Sequence, residues 1–424
     1  MKSLPYLIFI LSCIFFPAKA QHYTIKKLDI EQGISSNYVV SITQDKKGFL
    51  WFATESGLNR FDGNKFKVYK KNNADGLNTI SGNELNKVYA DKYDNVVWVA
   101  TQREGLNMFD CDTETFIHYK HNRDNPSGII TNDITDITNS RDENLWLSTY
   151  YRGVEYFNKK DKTIIHYNSS TIAGMVNDNV WTVNEDNKGF LYIGHVNSGL
   201  SILSLKDKKI KNFKYDPNDS ESLPGNEVRA IFVDKNDNVW IGTNNGLALY
   251  NPDKESFIAF RNDSKSKSSL ISNYIFTINQ LDDSRLWIGT EKGGISILDF
   301  RQSMFLSPEN VSFENIIYSD DNRGLSNSTV RSVFQDSFNN IWIATYGGGV
   351  NFISHRPPFF KTWVYSPIPN LDNTLNNPIA WGICTDKDDN VWVGTDGGGI
   401  NIFENGKKVA IVDQEKTKIS DNAI

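Results

Sequence analysis

The sequence predicts an all-β fold: a seven-bladed β-propeller of four-stranded blades, followed by the first blade of an incomplete second propeller. Three observations predict it. One aromatic recurs about every 48 residues, at Trp51, Trp98, Trp146, Tyr192, Trp240, Trp287, Trp342 and Trp392. Turn residues punctuate short apolar stretches at intervals of about 8–12 positions. No long window carries a helical period.

The chain opens with a segment read as an address. Residues 1–20 hold Lys2, an apolar run over 4–16, and then Ala18-Lys19-Ala20. A positive start, an apolar centre and small residues at −3 and −1 are what signal peptidase reads, so cleavage is expected after Ala20 and the mature chain is expected in the periplasm. A membrane anchor is the alternative, but the run is shorter than the ~18 residues a spanning helix needs. No later run approaches that length, so no membrane segment is expected in the mature chain. Cys13 leaves with this segment. Cys111 and Cys384 are too few and too distant in sequence for a disulfide framework or a thiolate metal site.

The first repeat lays out the blade. Residues 38–43 make an apolar first strand, and a tight turn, Asp45-Lys46-Lys47-Gly48, leads to the tryptophan strand at 49–54. Gly57 supplies the positive φ of the next turn, and strands at 58–61 and 65–69 flank Asp62-Gly63. The same plan returns with spacings of 47, 48, 46, 48, 47, 55 and 50 residues between the recurring aromatics. Four strands in a unit of this size, repeated, make a propeller blade. Seven of the ten Trp residues sit at the recurrent position, where a large ring fills the wedge between blades; they report fold, not ligand.

The pattern N-x-V-x-x-I-x-x-D-x-x-G-x-[LI]-W-[IFV]-[AG]-T-x-x-G-[LI]-N, as over residues 37–59, resembles the two-component regulator propeller repeat. The resemblance extends over essentially the whole mature chain. It implies the sensor half of a hybrid two-component system of Bacteroidota, many of which detect oligosaccharides and switch on glycan-use genes. It also implies a homodimer in the full-length sensor. The family's later parts are a second full propeller, a β-sandwich, a membrane helix, a kinase, a response regulator and a DNA-binding module, and none is present in this chain. Residues 419–424 look like the opening of a ninth repeat.

A ring of blades joins its ends by letting the N-terminal strand complete the last blade, which removes two sheet edges. Residues 22–30 precede the first repeat and resemble an outer strand without a blade. After the seventh repeat, His355-Arg356-Pro357-Pro358 interrupts the pattern, and proline is poorly tolerated in a paired strand. The expected division is a signal segment at 1–20, a closed ring over 21–355 and the start of a second ring over 356–424, with residues 359–365 as that ring's closing strand. A single eight-bladed ring is the alternative. One blade cannot bury both its faces, so 356–424 is expected to be poorly ordered or aggregation-prone when isolated.

Lys+Arg 45 against Asp+Glu 51 gives a net charge of −6, which offers no general attraction to nucleic acid. The glycine runs at 293–294, 347–349 and 397–399 lack the Lys-Ser/Thr of a phosphate loop and precede strands, so they read as turns. The acidic turns at 234–238 and 386–390 lack the distal Glu of a calcium loop. His118 and His121 have no third ligand nearby, and neither a metal nor a cofactor is expected. Sialidases are propellers with S-x-D-x-G-x-x-W turns, whereas the turn here is D-x-x-G-x-x-W. No catalytic constellation assembles, so the chain is not expected to be an enzyme. A stand-alone interaction scaffold and a propeller lyase or glycosidase remain as alternatives.

Comparing the repeats separates scaffold from variable positions. In the first strand, the positions of Val39 and Ile42 stay apolar, while Val40 becomes Asn86, Thr135, Trp181, Arg229, Phe276, Arg331 and Trp381. The first strand is innermost, so this set is expected at the central channel, where aromatic rings stack on sugar faces and Arg and Asn donate to hydroxyls or pair with acidic groups. The alternative is that these side chains plug the channel. The loops after the tryptophan strands open on the same rim and also vary, giving Arg103, Tyr150, Tyr151, Arg152, His195 and Tyr346 as further candidates.

Overall fold

The structure is a computed structural model that describes residues 23–72, 78–300, 306–321, 323–355, 363–367 and 374–424. The expected signal segment lies outside the described residues. Among them, the chain forms eight four-stranded sheets, one two-stranded sheet and one short 3-10 helix, and no helix is long and apolar enough to cross a membrane. It divides into two compact units, Met1–His355 and Arg356–Ile424.

Each blade of the first unit is a run of antiparallel hairpins in sequence order, as in Val39–Gln44, Leu50–Thr54, Gly57–Phe61 and Phe66–Tyr69. Every innermost strand breaks register at one place, between Val39 and Ser41 in the first blade and at the matching residues of the other six. The spacing of the apolar residues requires this. Val39 and Ile42 are both buried although three positions apart, whereas a regular strand returns to the same face every second residue. One inserted residue, a β-bulge, reconciles the two and re-aims the side chain it carries. The bulged residues are Val40, Asn86, Thr135, Trp181, Arg229, Phe276 and Arg331.

Ile25–Leu28 pairs antiparallel with Val350–Ile353, so the N-terminal strand is the outer strand of the seventh blade. The strand is shorter than 22–30 because the turn Ile30–Gln32, capped by Asp29, ends it. The seven innermost strands contact one another in a closed cycle, the last of them, Val330–Gln335, meeting the first, Val39–Gln44. A second link closes the same ring. The backbone N–H of the glycine beginning each third strand donates to a carbonyl that opens the next repeat: Gly57 to Asn83, Gly105 to Asn132, Gly246 to Asn273, and finally Gly349 to Asn37. Gly105 shows why the residue is glycine: its φ is +85°, and a Cβ would lie 2.3 Å from the Tyr119 carbonyl oxygen.

Among the described residues, the core of the first unit consists of seven apolar clusters, one per interface between blades. Trp51 packs against Leu85, Val97 and Phe109 of blade two, and so on round the ring to Trp342, which packs against Val39, Phe52 and Phe61 of blade one. The turn aspartates complete this arrangement. Asp45, Asp91, Asp234 and Asp336 each accept a hydrogen bond from the indole Nε1 of their own blade's tryptophan, at 2.7 to 3.0 Å. Where the aspartate is Ser140, Trp146 donates instead to Glu185 of the next blade. Where it is Leu281, the Trp287 indole N–H has no acceptor among the described residues.

The second unit holds one four-stranded sheet, Ala380–Thr385, Val391–Thr395, Gly399–Glu404 and Lys407–Val412. Its first strand is exposed at all six positions, with Trp381 at 70%. Within the segment expected to close a second ring, Val364–Tyr365 pairs in parallel with Thr374–Leu375. Asn422 accepts from the backbone of Gly397 and Gly399, the role Asn37 plays for Gly347 and Gly349.

Candidate functional site

The seven bulged residues meet in the middle of the ring. Together with Lys87 and Asp136 they line one axial cavity of about 110 Å3. That is well below the ~300 Å3 at which ligand pockets begin, so a sugar ring does not fit inside. The cavity has two unlike sides. On one, polar groups are used to tie strands together: Asn86 Nδ2 donates to the Ile134 carbonyl and Thr135 Oγ1 to the Val180 carbonyl, both at 2.8 Å, and Lys87 pairs with Asp136.

The other side is an aromatic and guanidinium stack running over blades four to seven. Arg229 Cζ lies 3.9 Å from the centre of the Trp181 ring, and Arg331 Cζ lies 4.4 Å from that of Phe276. Glu227 Oε1 holds Arg229 Nε at 2.6 Å and accepts from the Tyr274 hydroxyl. Burial, with Glu227 beside it, pushes the Tyr274 phenol up to about 12. Arg331 has no carboxylate partner among the described residues, and burial, reinforced by the charge of Arg229, holds its affinity for a proton below the ordinary guanidinium value. The Trp181 indole N–H is also without an acceptor among the described residues.

From this stack an aromatic step leads out to the rim. Tyr150 lies 5.3 Å from Trp181 and 4.3 Å from Tyr151, ring centre to ring centre, and Tyr151 is 58% exposed. Beside it, between blades two and three, is a cavity of about 380 Å3 lined by Arg103, Arg123, Arg152, His121 and Asp133. None of the three guanidiniums has a salt bridge among the described residues. Burial raises the carboxyl of Asp133 above its usual range and Arg103 opposes the rise.

Two candidates are placed differently. His195 is not on the rim but fully buried, with Nε2 2.7 Å from Ser201 Oγ and Nδ1 without a hydrogen-bond partner among the described residues. It occupies the position of Thr54, Thr149 and Thr243, whose hydroxyls donate inward to the glycine carbonyl of the turn, and the larger ring follows the same direction. Tyr346 reaches the rim, but its hydroxyl donates to Glu55 at 2.8 Å and its ring packs edge-on to Tyr38, so it joins blades seven and one.

Sequence comparison missed Glu227, Tyr274 and Arg123. The first two lie two positions before Arg229 and Phe276, in a column that runs Tyr38, Glu84, Asp133, Asn179, Glu227, Tyr274 and Thr329. That column varies as much as the bulge column and carried the signal. Arg123 lies in a connection between blades and has no counterpart to compare.

The chain is similar to the extracellular domain of the hybrid two-component system BT3049 from B. thetaiotaomicron: 49% identity over 92% of this chain and 49% of that chain, with a TM-score of 0.73. It thus spans about half the length of that relative. A stretch of 69 residues is 38% identical to histidine kinase P4 of Formosa agariphila, covering 16% of this chain and 5% of that protein. Streptogramin B lyase, 12% identical with a TM-score of 0.56 over 79% of this chain and 98% of its own, shares the fold alone.

The two component regulator propeller family matches at residues 33–56, 222–245, 269–292, 324–347 and 374–397. Repeats two to four lie outside those stretches, and each departs from the pattern: an extra residue between Asp91 and Trp98, Ser140 for the turn aspartate, and Tyr192 with His195 for Trp and Thr. Among the described residues, eight four-stranded sheets follow one repeat plan, and five of them carry the two component regulator propeller repeat.

Proposed function

We propose that this chain is the ligand-binding part of a periplasmic sensor in a hybrid two-component system, and that it recognises an oligosaccharide bearing acidic groups. The relation to the BT3049 extracellular domain supports the sensor role. The ligand class rests on one observation: a stacked path, Phe276, Arg229, Trp181, Tyr150 and Tyr151, runs from Arg331 to the three guanidiniums of the rim, and these and Arg331 have no carboxylate salt bridge among the described residues. Sugar faces stack on such rings, and carboxylate or sulfate groups pair with such cations. Because the axial cavity is small, the ligand lies over the channel mouth.

The region carries out no chemistry on its ligand. Binding biases the arrangement of two sensor protomers, and it shifts that equilibrium only by the difference in affinity for the two arrangements. The kinase that reads the shift lies outside this chain.

Calorimetric titration of the mature chain with uronate-containing oligosaccharides, beside their carboxyl-reduced forms, tests the reading. The acidic forms are expected to bind, with affinity falling as salt rises. Arg331→Ala and Arg152→Ala should each weaken binding by about 10-fold, the worth of one charge-assisted hydrogen bond. Equal affinity for reduced and acidic forms would reject the acidic ligand. Affinity unmoved by both substitutions would reject this face.

A further inference from the structure

The opposite face of the ring, where the turns after the first and third strands emerge, carries a cavity of about 460 Å3 between blades four and five. What it would hold can be read from the same place between blades one and two. There Arg60 Cζ lies 4.7 Å from the Phe49 ring centre and 5.8 Å from that of Trp51. Its Nη1 donates to Glu114 Oε1 at 2.7 Å, and Lys67 Nζ binds Oε2 of the same carboxylate at 2.7 Å.

Blade four repeats this frame residue for residue. Phe190 stands for Phe49 and Tyr192 for Trp51, while Lys211 ion-pairs with Glu255 as Lys67 does with Glu114. The two glutamates occupy the same turn position, both with φ of +55°. Strand register identifies the counterpart of Arg60: Arg60 lies opposite Trp51 and Lys67, and Ile202 lies opposite Tyr192 and Lys211. The aromatic wall and the carboxylate are therefore kept, and the guanidinium is missing. Phe190 is left 39% exposed, and the space stands as a cavity.

The groove between blades two and three is a counter-example. It has Val96 in place of the phenylalanine and Lys162 in place of the glutamate, and Lys159 of blade three reaches across it to Asp91 and Asp94. Blade five has Pro252 where blade three has Lys159, so nothing reaches into the four–five groove in that way. The charges lining that groove, Asp186, Asp207, Asp237 and Glu255 against Lys188, Lys209 and Lys211, leave a net −1.

We infer that the groove between blades four and five binds a guanidinium group, stacked on Phe190 and hydrogen-bonded to Glu255. The group comes either from a free guanidino compound or from an arginine side chain of a peptide. The site is independent of the channel mouth.

The test is titration of the mature chain with N-acetylarginine amide, and with N-acetylcitrulline amide as the uncharged isostere. Arginine amide should bind one to one and the citrulline compound at least about 10-fold more weakly. Ile202→Arg, which supplies the guanidinium internally, should abolish the site without lowering Tm, and Glu255→Gln should weaken it by about 10-fold. Arg60→Ala should open the first groove and raise the stoichiometry to two. Free arginine binding as tightly as an acetyl-Gly-Arg-Gly amide assigns a small molecule, and tighter peptide binding assigns a side chain. Equal binding of the citrulline compound, or arginine binding unchanged in both Ile202→Arg and Glu255→Gln, overturns the inference.

Discussion

Trp240→Ala is expected to destabilise the first unit by about 3–5 kcal/mol, the range for removing a large buried aromatic. Trp240 is fully buried between blades five and six, where it meets Phe260, Leu270 and Ile275. Its loss also removes one of the hydrogen bonds on the Asp234 carboxylate, which keeps those from Asn236 and Asn238. Trp381, 70% exposed, provides the contrast: Trp381→Ala should change stability by less than about 0.5 kcal/mol. Urea unfolding of the two variants beside the parent chain checks both. A small effect at Trp240 would mean that the recurring aromatic is not what holds neighbouring blades together.

The second large effect is a dependence on pH carried by His195. Burial pushes its imidazole down to about 4, against about 6.5 in an unfolded chain. Between these values the unfolded chain takes up a proton that the native fold refuses. Stability therefore falls as pH drops through this window, by about 3 kcal/mol in all. His195→Thr restores the hydroxyl used at the same position in other blades and should remove this component. His166 acts in the opposite sense. The buried Glu155 carboxylate, 3.5 Å from its Nδ1, raises its proton affinity, so its contribution is present at low pH and is lost as pH rises through the native value. Unfolding free energies from pH 4 to 7, taken as parent minus His195→Thr, isolate the first term. A difference that stays flat over that window would show that His195 is not held neutral by burial.

The blade plan was legible because each repeat spends its residues on the same physical tasks: a ring for the wedge, an aspartate for the turn, a glycine where a Cβ would strike a carbonyl. Those demands are local and recur eight times, so one sequence supplies its own comparison. The bulge was written just as plainly in the three-residue spacing of Val39 and Ile42, which no regular strand can bury on one face. The channel set could be named from that column, but not what its members do to one another. Whether Arg229 is free or held depends on Glu227 and Tyr274, contributed by two different blades. His195 misled because a histidine in a variable loop and a histidine at the end of the preceding strand look alike without the register. The four–five groove was invisible for a related reason. It is defined by a residue that is absent, Ile202 where blade one has Arg60, and only the pairing of strands shows that the two correspond.

Ring size decides which strands face the channel, and it is tested most directly by cross-linking. In a chain carrying Cys384→Ser, the pair Lys26→Cys and Phe352→Cys places two thiols on directly paired residues of the closing strand and the seventh blade. Oxidation is expected to give an intramolecular disulfide, read as one linked peptide by mass spectrometry of the non-reduced digest. The matching position in the eighth blade is Ile402, opposite Trp392 as Phe352 is opposite Trp342. A disulfide formed by Lys26→Cys with Ile402→Cys, and not with Phe352→Cys, would place the closing strand on the eighth blade and contradict the seven-bladed ring.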